Sequence, residues 1–105
     1  DMGEANPSPE RAEEIARGLT KAQIAVVLSL KREPIEYHDL KEAARARMLP
    51  SEEFYPAAVW MHHAPMSELA DSFDEHNGHH LYTYYCITPL GLAVAKHLKG
   101  KTDGP

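Results

Sequence analysis

Five histidines, His62, His63, His76, His79 and His80, crowd one part of the chain. Neutral imidazole is the commonest protein ligand for transition metals, so the pattern first raises metal binding. Its spacing argues against that chemistry. Adjacent residues diverge on a helix and alternate across a strand, so each doublet offers only one ring to any one site. A His-Glu-x-x-His motif is also absent. The expectation is solvated loop histidines, with no metal and no cofactor.

Catalysis lacks its parts as well. No nucleophile with a partnered base, no phosphate-cradling glycine loop and no carboxylate pair stands out, so a non-enzymatic protein is expected. Cys86 is the only cysteine and reads as a small apolar strand residue.

The charge map is uneven. The net charge is −5, yet residues 1–47 hold nine acids and eight bases, residues 48–95 hold six acids and no Lys or Arg, and the last ten hold three Lys and one Asp. Phosphate-gripping proteins generally cluster Lys and Arg, and here the middle of the chain has none. No apolar run approaches the ~20 residues of a membrane span, and the first ten residues lack a signal-peptide pattern. One cysteine permits no internal disulfide, so a cytoplasmic location is expected.

The elements that position these residues are organised around 67–98. Asn77-Gly78 between two strand-like runs is a strong hairpin signal, because a type I′ turn needs positive φ at both central positions. Pairing outward from that turn sets Phe73 against Tyr82 and Leu69 against Cys86. The other face then carries Asp74 with Leu81, Ser72 with Thr83 and Ala70 with Tyr85. Thr88 caps a following helix that begins at Pro89, in which Leu90, Ala93, Val94, His97 and Leu98 recur at helical spacing, and which ends near Gly100.

The segment Tyr85-Cys-Ile-Thr-Pro-Leu-Gly91 resembles the close of a winged helix-turn-helix domain of the MarR or PadR type, in which a wing hairpin ends in Tyr-x-Leu-Thr-x-x-Gly and passes into a further helix. The resemblance implies an α+β fold of three to five helices with a small antiparallel β-wing, and a transcriptional regulator that binds duplex DNA. It also implies dimerisation through the terminal helices.

Taken in order, residues 1–7 read as a disordered lead, 8–100 as the domain and 101–105 as a flexible tail. Ser8-Pro9 opens a helix carrying Ala12, Ile15, Ala16 and Leu19 inward. Thr20-Lys-Ala-Gln23 is a capping box with Leu19 and Ile24 as its staple, so a second helix is expected from about Lys21 to Arg32, burying Ile24, Val27, Leu28 and Leu30. Glu33-Pro34 stops it. Ile35 to Tyr37 is extended, where winged helices place the third strand of the wing sheet. His38 to Arg47 forms a helix with Leu40, Ala43 and Ala44 inward. After Met48-Leu49-Pro50, Ser51 caps a helix that Pro65 ends, and the resemblance makes this the recognition helix.

That helix carries Phe54, Ala57, Ala58 and Met61 inward, leaving Glu52, Pro56, Val59 and His63 outward. Pro56 sits awkwardly inside it. Base readout in the major groove favours Arg, Asn or Gln, and none occurs between Ser51 and Ala64. The candidate DNA contacts are therefore Lys41, Arg45 and Arg47 on the preceding helix, with His63 and the wing-tip residues His76, His79 and His80. Protonation of the five clustered histidines near their ordinary pKa of ~6.5 would strengthen such contacts. A second reading is an acidic module that binds a regulatory protein, as a corepressor or antagonist, through Glu52, Tyr55, Val59, Trp60 and His63, because aromatic residues with few charges mark interface cores.

Overall fold

The computed structural model describes the backbone of residues 8–50, 52–54 and 60–103, and the side chains of these except 60 and 101–103. The expected lead at 1–7 lies outside the described residues, as do the capping role of Ser51 and the positions Tyr55, Pro56, Ala57, Ala58 and Val59. The chain is α+β. Its elements are α1 (Pro9–Gly18), α2 (Lys21–Ser29), β1 (Ile35–Glu36), α3 (Tyr37–Ala46), helical residues 52–54, a 3-10 turn (Trp60–His62), α4 (Met66–Leu69), β2 (Ala70–Asn77), β3 (His80–Ile87) and α5 (Pro89–Asp103). The strands form one antiparallel sheet in the order β1-β3-β2.

Local chemistry fixes the helix starts. The Ser8 hydroxyl accepts from the Arg11 N–H ahead of Pro9, a position where the missing donor is not needed. In the capping box, the Thr20 hydroxyl accepts from the Gln23 N–H at 3.1 Å, and the Gln23 side chain accepts from the Thr20 N–H at 2.9 Å. Glu36 caps α3 by accepting from the His38 N–H at 3.0 Å.

Two expected spans change: α5 continues through Gly100 to Asp103 instead of ending near Gly100 ahead of a flexible tail, and a long-range contact shortens α2. α2 stops at Ser29 rather than Arg32, because the chain leaves the helix so that the Lys31 carbonyl can accept from the Ile87 N–H at 2.8 Å. Its buried set also differs: Ala25, Val26 and Val27 are buried with Leu30, whereas Ile24 and Leu28 are half-buried. α2 touches both α3 and α5, so its apolar arc is wider than one stripe. Ser29, buried on that helix, donates its hydroxyl to the Ala25 carbonyl at 2.7 Å.

The hairpin forms with a corrected register. Its two-residue loop is Gly78-His79, and Asn77 pairs with His80, Phe73 with Tyr84, Asp74 with Thr83, Ser72 with Tyr85 and Ala70 with Ile87. Only Gly78 of the two loop residues has positive φ, at 66°. That matches a loop with glycine first, as in type II′, rather than type I′, which needs positive φ at both positions. The shift is by two residues, so each side chain keeps its expected face. Leu69 is not in the sheet but ends α4.

The core lies between one sheet face and the helices. Ala70, Tyr85 and Ile87 meet Leu40, Phe54, Met66, Leu69, Val26 and Val94 there. Cys86, on the opposite face, is half-buried rather than fully buried. Among the described residues no helix is long and apolar enough to cross a membrane.

Candidate functional site

The basic candidates gather at the C-terminal half of α3, but not as free charges. Arg45 donates to one oxygen of Glu42 through Nε at 3.2 Å and through its terminal nitrogen at 3.1 Å, an exposed pair one turn apart. Lys41 is half-buried and Arg47 is exposed. Arg47 follows the helix as its C-cap and borders, with Lys31, a shallow groove floored by Leu28, Ala43 and Ala46. Arg11 is engaged by Glu68 and Arg17 by Glu13. The cation side of the domain is thus thinner than the residue count suggests.

A sharp turn ends α3. Met48 takes a left-handed conformation with φ 72°, while the Leu49 N–H donates to the Ala44 carbonyl at 3.1 Å and the Met48 N–H to the Arg45 carbonyl at 2.9 Å. This is the Schellman pattern, in which the residue after the cap is left-handed and glycine is preferred. Leu49 then buries itself and directs the chain toward Phe54.

Of the inward residues expected after Pro50, the described ones, Phe54 and Met61, are buried, and Phe54 packs edge-to-face on Tyr37 at 5.2 Å. The expected single helix to Ala64 is not present, because Trp60–His62 forms a 3-10 turn and residues 63–65 are bend and turn. Glu52, Glu53 and His63 are exposed. Tyr55 and Val59 fall outside the described residues, as does the side chain of Trp60.

The tip histidines are exposed and do not converge. His76 and His80 lie on opposite faces of the hairpin, and His79 sits in the loop. His80 tilts against Tyr82 with ring centroids 6.1 Å apart. Among the described residues no group of three His, Cys, Asp or Glu side chains is arranged to hold a metal ion. Below the tip, β2 presents exposed Asp71, Asp74 and Glu75, with the Thr83 hydroxyl donating to Asp74 at 2.9 Å.

One row of residues was not singled out by sequence. Glu36, Tyr84 and Phe73 lie side by side across β1, β3 and β2. Phe73 stacks on Tyr84 with ring centroids 5.3 Å apart and planes 10° apart. Burial raises the Tyr84 phenol above its ordinary pKa, and the negative charges of Glu75 and Glu36 add to this. Burial likewise raises Tyr85 on the core face, with Tyr37 and Asp74 contributing. The alternation of the Tyr-rich run could have found the row only with the register and β1 pairing in hand.

The Thr88 and Gly91 positions of the short motif have a structural task. The Thr88 hydroxyl donates to the Glu68 carbonyl at 2.7 Å and accepts from the Gly91 N–H at 3.0 Å, and the Thr88 N–H donates to the Leu69 carbonyl at 3.0 Å. Together they cap α5 and lock it to α4. The chain shows no significant similarity to any protein-family model, curated protein or solved structure with which it was compared.

Proposed function

We propose that the chain is a winged-helix domain of the transcription-regulator type, non-enzymatic and cytoplasmic, that engages duplex DNA. The observation that supports it best is topological. A short strand, β1, lies beside β3 of a hairpin that runs through Thr88-Pro-Leu-Gly91 into a closing helix. This is the arrangement expected of a wing sheet followed by a further helix. In this reading Arg47 and Lys41 at the end of α3, with Lys31 nearby, meet phosphates, and the exposed His63, His76, His79 and His80 reach the duplex from the hairpin side. Arg45 contributes less, since Glu42 already holds it. Pairing of two copies through the terminal helices belongs to the same reading.

The internal pairing of Arg11, Arg17 and Arg45 with acids, and the exposed Glu52 and Glu53, favour a second reading. In it the domain binds a regulatory protein through the stripe of Glu52, Tyr55, Val59, Trp60 and His63. A titration of random-sequence duplex DNA at ~50 mM salt separates the two, because phosphate contacts are strongest there. Weak binding that falls steeply with added salt supports the first; no binding supports the second.

A further inference from the structure

The side of the sheet opposite the buried Ala70, Tyr85 and Ile87 combines aromatic surface with negative charge. Its rows are Glu36, Tyr84 and Phe73, then Tyr82 and Glu75, then Cys86 and Asp71. Phe73 is 45% exposed although its ring is stacked on Tyr84. None of the outward residues on these three strands is Lys or Arg. A groove of about 450 Å³ beside them runs between Tyr82 and Tyr84 on one wall and Glu33, Glu36 and Asp39 on the other, with Lys31 as the one cation among its described lining residues.

Part of the backbone beside this face has no strand pairing among the described residues. β1 pairs only with Tyr84 and Tyr85, so among the described residues β3 has no strand partner on that side from His80 to Thr83. An uncovered edge offers main-chain donors and acceptors to another extended chain, and alternate side chains then supply specificity. Aromatic faces attract guanidinium and ammonium groups, and the surrounding carboxylates favour the same cations. A polyanion or an acidic peptide meets repulsion here.

We propose that this face and edge dock an extended segment of a partner protein that carries Arg or Lys at alternate positions. The segment adds beside β3 beyond the end of β1, with its cations over Tyr82 and the Phe73–Tyr84 pair and toward Glu36 and Glu75. The site is separate from the α3 end invoked for DNA and from the stripe after Pro50 but shares His80 with the hairpin-tip contacts of that reading, so segment and duplex would exclude one another at the tip.

The test uses the full chain and two blocked peptides of equal length, one alternating Arg with Thr and one alternating Glu with Thr. Anisotropy at low salt measures affinity, and amide exchange reads the 80–83 edge. The Arg peptide is expected to bind and the Glu peptide not to. Reversing the rim charges, Asp71→Lys with Glu75→Lys, should weaken Arg-peptide binding about tenfold. Phe73→Ala should weaken it severalfold, and amides of 80–83 that face the open edge should gain protection. Circular dichroism verifies that the variants fold, and the exchange readout on the native chain does not depend on them. The proposal is overturned by failure of the Arg peptide to bind or by equal binding of both peptides. Affinity that survives Phe73→Ala in full, or that leaves the edge amides unprotected, also overturns it, because that is diffuse charge attraction.

Discussion

The carbonyl oxygen of Leu69 occupies the space that a β-carbon on Gly91 would need, and the Ile87 Cγ1 would lie 2.6 Å from that carbon. Gly91 is therefore where α5 passes against the end of α4, held there by the Thr88 hydroxyl. Because the obstacle is backbone, it cannot rotate aside.

Gly91→Ala should destabilise the domain by about 2 kcal/mol, overpacking outweighing the helical advantage of alanine. Gly100, in the same helix, stands in open space, and a β-carbon added there would meet nothing within 4 Å. Gly100→Ala should instead be neutral or stabilising by up to about 1 kcal/mol. Denaturant unfolding of the two variants checks the contrast; equal effects would contradict the close approach.

Met48 offers a gain. It is 89% exposed and left-handed, so its side chain contributes little packing while its backbone is held in a conformation costing a non-glycine residue roughly 1–2 kcal/mol. Met48→Gly should stabilise by about 1 kcal/mol, after allowance for the freer unfolded chain. An unchanged unfolding midpoint would count against the turn geometry at the end of α3.

Alkaline pH should weaken the fold. Tyr84 and Tyr85 hold their protons more tightly in the native chain than the ordinary value of about 10, chiefly through burial. A raised folded-state pKa gives stability that is complete below the unfolded value and lost as pH climbs through the folded one. Phenolate absorbance should show a late-titrating component from these two, together with loss of structure. Tyr85→Phe should remove much of the late component; an unaltered titration would exclude its burial as the cause.

Much of the frame was legible locally. Ser8-Pro9, the Thr20 to Gln23 box and the Leu40, Ala43 and Ala44 stripe depend on neighbours within a turn or two; the two caps form as expected, and of the stripe Leu40 and Ala44 are buried and Ala43 half-buried. The features that escaped depend on distant partners. α2 ends early because Lys31 pairs with Ile87, 56 positions away. The hairpin register followed from assigning Asn77 to the turn, whereas Asn77 extends the strand and Gly78 alone takes positive φ. Left-handed Met48 had no composition signal, since glycine or asparagine is the residue expected there. The Glu36, Tyr84 and Phe73 row required three strands to be aligned before it existed as a surface.

The most direct measurement of the functional claim is the salt dependence of duplex-DNA affinity in the native chain and in Arg47→Ala. Arg47 is exposed at the end of α3, so its removal tests a phosphate contact rather than the core. A phosphate contact there predicts weak native binding whose log–log salt slope becomes shallower by about 1 in the variant. Absence of native binding at low salt, or an identical slope in both proteins, would contradict it.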